Sequence, residues 1–418
     1  MLNFAPGRSI ADQELHEKIL DFLGPWGIQG KKVLVIVPDD TRTLPMPTIY
    51  RALVEAILPR AKELAFLVAL GTHPPLSDVQ LRQHFGPFFP HPRVPVYQHA
   101  WQDPGTLVRT GRIPAERMAE ISQGLLPLEV SVEINRLVLE YERILIVGPV
   151  FPHEVVGFSG GHKYFFPGIS GPAMVHVSHW LGALITNPKV NGHKWTPVRV
   201  MIEEAAGLVP TPRQGLSFVM SGHEVRGIFF GEVVEAWEAA ADLSAQVNIV
   251  WTERSYDFVL SMAPSMYREL WLAGKCMYKL EPVVADGGVL VIYGPHIREI
   301  SPTHGEWLLR VGYHVRDFFL AQWEKYKHVP WAVLAHSTHV KGIGTFRDGV
   351  ERPRIQVVLA TGIPKEVCRQ INLGYEDPQA LDPQRFWGKE KDGVLLVPNA
   401  GEQLWRLADG TVPDIDRL

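Results

Sequence analysis

Only two cysteines, Cys276 and Cys368, stand in the 418 residues. That excludes a disulfide framework and a cysteine-rich metal site, and it suits a reducing compartment. The chain also lacks a basic excess: 41 lysines and arginines against 45 aspartates and glutamates leave a formal net charge of −4. Without a broad positive field nothing holds a phosphate backbone, so no nucleic-acid partner is expected and a small-molecule substrate is. No apolar run approaches the length needed to cross a bilayer, which predicts no membrane partner. The opening Met-Leu-Asn-Phe-Ala-Pro-Gly-Arg-Ser-Ile lacks the basic-then-apolar order of a signal peptide, and the expectation is a cytoplasmic protein. Internal repeats and low-complexity runs are missing as well.

What is present is ordinary globular material, 46% apolar and 21% charged, in a chain too long for one compact core. Residues 33–37, 64–70 and 143–147 are continuous, largely aliphatic runs, the pattern of strands buried on both faces of a parallel sheet. Between and after them the spacing predicts helices over 47–58, from about 79, and over 115–123, 198–206 and 233–247, with a pair of short strands within 216–230. The second half predicts strands at 258–260, 289–293, 331–334, 355–359 and 394–397 and a helix over 265–280. The fold class is therefore α/β: two α/β domains with largely parallel sheets flanking an interdomain active-site cleft. The expected boundaries are 1–254 and 255–418, the second domain closing over the cleft and its last stretch packing back on the first.

Each of the first three strands delivers polar residues at its carboxyl end, where open parallel sheets bind ligands. These are Asp39-Asp40-Thr41-Arg42, Gly71-Thr72-His73 and the approach to His153. Just beyond, residues 152–179 place His153, His162, His176, His179 and Lys163 around a Ser159-Gly160-Gly161 turn. Singly, each has a bland explanation: the aspartates cap a helix, the histidines sit in turns, and a short glycine turn is weak evidence for phosphate. Their joint placement marks a site. The four histidines leave a zinc site open, as in a metal hydrolase, although no pair has compact helical spacing.

Taken in order, Asp39-Asp40-Thr41-Arg42, Gly71-Thr72-His73, Pro152-His153, Phe158-Ser159-Gly160-Gly161-His162-Lys163 with Pro167-Gly168, Ser178-His179 and Ala273-Gly274-Lys275 resemble the motifs of the lactate racemase family. The resemblance implies an isomerase, a racemase or epimerase that inverts C2 of a 2-hydroxy acid by hydride transfer through a 2-keto acid. The cofactor it implies is a nickel-pincer nucleotide made by separate cofactor-synthesis proteins. Lys163 would carry it covalently, and His179, sixteen residues on, would ligate nickel. His73 and His153 match two bases, Arg42 and Lys275 match anchors for the substrate carboxylate, and Asp39 and Thr41 match positions beside cofactor or substrate. The amides of Ser159, Gly160 and Gly161 would cradle the nucleotide phosphate. The 1–254 domain would then bind cofactor and carry catalysis. A non-catalytic hydroxy-acid-binding protein remains an alternative beside the metal hydrolase.

Departures from the family pattern bear on the substrate. Leu272 stands where lactate-specific members carry glutamine, Trp271 where tyrosine is common, and Pro74 follows His73 in place of arginine. Leu272 beside Trp271 predicts a pocket for an apolar or aromatic side chain. The competing expectation has Leu272 in the core and a dicarboxylate or sugar acid as substrate. Trp323 matches a family tryptophan of the second domain.

Overall fold

The computed structural model describes residues 1–417. They form two compact units that are discontinuous along the chain. The first takes residues 1–151, 158–175 and 197–247; the second takes 152–157, 176–196 and everything from 248.

The first unit is built on a seven-stranded sheet. Its strands are β1 (Leu2–Phe4), β2 (Lys32–Pro38), β3 (Glu63–Ala69), β4 (Val96–Gln98), β5 (Arg143–Pro149), β6 (Arg213–Ser221) and β7 (Glu224–Gly231). Their order across the sheet is β1-β7-β6-β5-β2-β3-β4. The run β6-β5-β2-β3-β4 is parallel, and β7 and β1 add on antiparallel. The aliphatic residues 33–37, 64–68 and 144–147 are buried, which is why these strands carry no polar alternation. Helix α1 (Met46–Ile57), with proline in its first turn, lays Ile49, Tyr50, Leu53 and Ile57 on one face of the sheet. Helix α2 (Asp78–Phe85) opens on a capping box between Ser77 and Gln80.

The second unit holds a five-stranded parallel sheet of β8 (Tyr256–Met262), β9 (Val284–Gly294), β10 (Gln356–Thr361), β11 (Gly374–Tyr375) and β12 (Val394–Val397), in the order β11-β10-β9-β8-β12. The α/β class with largely parallel sheets holds. Two local expectations do not. Residues 331–334 are not a strand but the first turn of helix α8 (Trp331–Lys341), entered through Pro330. The predicted helix over 265–280 is two short pieces, α6 (Leu270–Ala273) and α7 (Lys275–Tyr278).

Candidate functional site

Strand β2 leads through α1 to β3 on one side, while β5 lies on its other side. The strand order therefore switches direction beside β2, and the crevice outside the carboxyl ends there is where doubly wound sheets take ligands. Four predicted residues gather at that edge. Asp39, 4% exposed, follows β2 directly. His73 follows β3 and sets its Nδ1 2.5 Å from Asp39 Oδ2. Thr41 donates to the other carboxylate oxygen from its hydroxyl at 2.6 Å and its amide at 3.2 Å. Arg42 in turn donates from Nη1 to Thr41 Oγ1 at 3.1 Å. Burial alone would raise the Asp39 carboxyl; the charge and hydrogen bond of His73, the charge of Arg42 and the Thr41 hydroxyl outweigh it and hold the group well below the carboxylate range.

The Ser-Gly-Gly turn packs at the same edge, its short helical continuation Gly161–Tyr164 lying against β2 and β5. Gly160 and Gly161 have φ of 83° and 58°, and a Cβ on Gly160 would come 2.7 Å from Val150 Cγ2. Ser159 is consumed by the turn itself. Its amide donates to Phe151 O at 2.8 Å, and its hydroxyl donates to Pro149 O and accepts from the Phe151 amide. Its expected part in a phosphate cradle is therefore not available from that amide.

Beneath the turn lies a charged network that carries no local sequence signature. Arg199, wholly buried on helix α4 (Pro197–Gly207), donates to the carbonyls of Phe158 and Gly160 and stacks 4.1 Å over Trp237 of helix α5 (Val233–Asn248). Burial pushes its guanidinium down to about 10, against the pull of Glu203. His162 bridges Glu203 at 2.5 Å and Arg213 at 2.7 Å. Because the Arg213 guanidinium has only protons to give, it fixes His162 as an acceptor at Nε2 and a donor at Nδ1. His162 is thus part of the support for Lys163's turn.

His153, His179 and Lys275 belong to the second unit. His153, 8% exposed, accepts the Val155 amide at Nδ1 (3.1 Å), and Glu154 Oε2 stands 3.4 Å from the same nitrogen. Burial would raise the Glu154 carboxyl; Lys279 foremost, with His339 and Lys275, outweighs it and lowers the group. Lys279 is anchored by a hydrogen bond to Pro152 O. His179 lies on helix α3 (Pro172–Ile185) with Ser178 Oγ 3.3 Å from its Nδ1, and its neighbour Trp180 stacks on Trp323 at 5.5 Å. Lys275 opens α7 with its ammonium 5.0 Å from the Tyr267 ring. Trp271 is packed by His304 at 4.3 Å and His336 at 4.1 Å, and Leu272 is 7% exposed.

The zinc alternative finds no ligand set: among the described residues no group of three or more His, Cys, Asp or Glu is arranged to hold a metal ion. Of the four histidines, His162 is engaged by Arg213 and Glu203 in the first unit, and His176 Nδ1 accepts the Ala332 amide in the second.

Comparison with known proteins bears on the chain as a whole. The sequence pattern of the lactate racemase N-terminal domain matches residues 26–191. A lactate racemase of Thermoanaerobacterium thermosaccharolyticum is 25% identical over 290 residues, 66% of this chain and 62% of that protein. One from Lactiplantibacillus plantarum is 29% identical over 192 residues, 43% of this chain and 41% of that protein. The match thus spans less than two thirds of either relative. A crystal structure of a Thermotoga maritima protein superposes with a TM-score of 0.88 at 31% identity, over 97% of this chain and all of that one. The lactate racemase apoprotein of T. thermosaccharolyticum shares the fold, with a TM-score of 0.72 at 16% identity over 95% and 93% of the two chains. The motif-bearing segment matches the family's own N-terminal domain, and two lactate racemases share its sequence: the chain belongs to the lactate racemase family.

Proposed function

We propose that the protein is an isomerase, a racemase or epimerase that inverts the C2 centre of a 2-hydroxy acid. The observation that carries this reading is the Asp39–His73 pair at the strand switch, beside the turn that presents Lys163. With Nδ1 turned to a carboxylate, the His73 ring keeps its proton there and offers its lone pair at Nε2. Such a ring takes a hydroxyl proton, and Asp39 stabilises the imidazolium that results. Arg42, steered by Thr41, supplies a fork for the substrate carboxylate, and Lys275 a second positive charge. His153 serves as the second base, for the opposite hand.

The C2–H bond is too weak an acid for side chains alone, and a nickel-pincer nucleotide, when bound, supplies a hydride acceptor that lets the acid pass through its planar 2-keto form. The residues fit such a group by their chemistry. Lys163 offers a primary amine for covalent attachment on a turn held from below by Arg199. His179 offers an imidazole, a donor that suits nickel, and with Ser178 at Nδ1 it would bind through Nε2. The separate proteins that synthesise the cofactor are then the required partners. The cytoplasm, where two reduced cysteines are at home, is the expected location.

The substrate is better read as a dicarboxylate or sugar acid than as an acid with an apolar side chain. Leu272 is buried, as that reading requires of it, and Trp271 packs against the imidazoles of His304 and His336, which bring polar nitrogens to its surroundings. The test of the whole reading is intact mass and optical rotation. Protein made together with cofactor-synthesis enzymes should gain mass and erase the optical purity of a 2-hydroxy acid; Lys163→Ala should lose both. An adduct retained in Lys163→Ala refutes the attachment, and binding of the acid without inversion favours a binding protein.

A further inference from the structure

The two proposed bases are held differently at Nδ1. At His73 a carboxylate stands alone, Asp39 Oδ2 at 2.5 Å, which places the neutral ring's proton on Nδ1. At His153 the Val155 amide donates to Nδ1 at 3.1 Å, and an amide N–H needs a lone pair there. The neutral His153 ring therefore carries its proton on Nε2. Its second neighbour, Glu154 Oε2 at 3.4 Å, makes the opposite demand, since a carboxylate can only accept.

These demands belong to two protonation states of one ring. A second proton on His153 must sit on Nδ1, where it meets the Val155 N–H head on and needs an acceptor. We propose that Glu154 is a positioning residue for His153: it receives Nδ1–H when the ring is protonated, displacing the Val155 amide, and so lets the charged ring present Nε2–H.

The surroundings suit that task. Among the charged and titratable groups about Glu154 are Lys279, Lys275 and His339, with Lys279 foremost in keeping the carboxyl ionised despite its burial. Lys279 is tied to Pro152 O, the carbonyl just before His153, so the cation and the ring share a local frame. Glu154 is 12% exposed at its side chain, too little for water to take its place freely as acceptor.

The catalytic use of this device rests on the racemase reading. A substrate oxygen regaining its proton at His153 takes it from Nε2, and Nδ1–H stays on the ring, donated to Glu154 in place of the Val155 contact, leaving the ring as its Nδ1–H tautomer with the lone pair at Nε2. In reverse, that lone pair takes the hydroxyl proton. No atom is left over in either direction, and His153 need never pass through an imidazolate.

The test uses the full chain without cofactor, labelled with nitrogen-15 in its histidines and titrated by NMR from about pH 5 to pH 9, the range in which histidines change charge. His73→Gln and His153→Gln assign the two rings. At the alkaline end His153 should carry its proton on Nε2 and His73 on Nδ1. Glu154→Gln should lower the His153 pKa by about 1 pH unit or more, the ordinary effect of losing a nearby opposite charge, and leave His73 in place. Glu154→Asp should recover part of the drop. An unchanged His153 titration in a folded Glu154→Gln protein, or a neutral wild-type His153 protonated on Nδ1, overturns the proposal. Racemisation by the loaded protein with either of those results defeats this inference alone. The predicted NMR behaviour in a protein that inverts no 2-hydroxy acid defeats the racemase reading alone.

Discussion

A buried carboxylate is costly unless its charge is matched, and Asp39 is matched on both oxygens, by His73 on one and by Thr41 on the other. The same contacts that make the charge tolerable fix the His73 tautomer, so local stability and proton transfer draw on one group. Asp39→Asn retains the shape but can turn an amide donor toward Nδ1, forcing the His73 proton onto Nε2. Turnover of the loaded protein should fall by about a hundred- to ten-thousand-fold. Stability should follow a defined pH course. The folded carboxyl lies below its unfolded value of about 3.9, so its contribution is complete above about pH 4 and is lost as pH falls through the folded value. The difference in urea midpoint between wild type and Asp39→Asn should therefore persist from about pH 8 to pH 5 and close only in stronger acid; a difference that vanishes near neutrality would show that Asp39 is not held as described.

At the scale of elements, the turn bearing Lys163 is packed too closely at its glycines to admit a side chain. Gly160→Ala should cost about 1 to 3 kcal/mol, from a left-handed backbone and a methyl driven into Val150. Gly207→Ala, where an added methyl meets nothing, should cost far less; chemical denaturation of the two variants compares them directly. Elements of this kind differ in how plainly the sequence announces them. The buried strands at 33–37, 64–70 and 143–147 were legible because an aliphatic run flanked by turn residues has few other uses. The run at 331–334 was not, since four apolar residues fit a buried helical turn as well as a strand, and only the helix-entry position of Pro330 distinguishes them. Asp39 and His73 were readable as strand-end residues, whereas their hydrogen bond was not. Arg199, Glu203 and Lys279 escaped altogether, because the groups they hold at the site, Gly160, His162 and Pro152, are distant from them in sequence. Glu154 escaped too, although it offered one clue, an acidic residue directly after a proposed base.

For the molecule as a whole, family membership leaves the substrate to be decided by side chains that differ from the family pattern. With Trp271 packed against His304 and His336 and Leu272 buried, malate or an aldonic acid should be inverted faster than lactate or larger apolar 2-hydroxy acids. A panel assayed by loss of optical purity checks this, and best turnover on a large apolar acid would reject it while leaving the racemase proposal standing. The chain's division also bears on how such a protein can arise and be altered. Residues 152–157 and 176–196 belong to one unit, while 158–175, between them, belong to the other. No single cut in the gene yields either unit entire: a fragment ending at residue 254 would carry away pieces of the second unit, including His153 and His179, and a fragment beginning there would lack them. The two units are thus bound to a common inheritance. Exchange of one half between relatives by a single crossover would bring mismatched partners into one fold, so new substrate preferences in this lineage are expected to accumulate by point substitution, as at Trp271 and Leu272, and not by shuffling of parts.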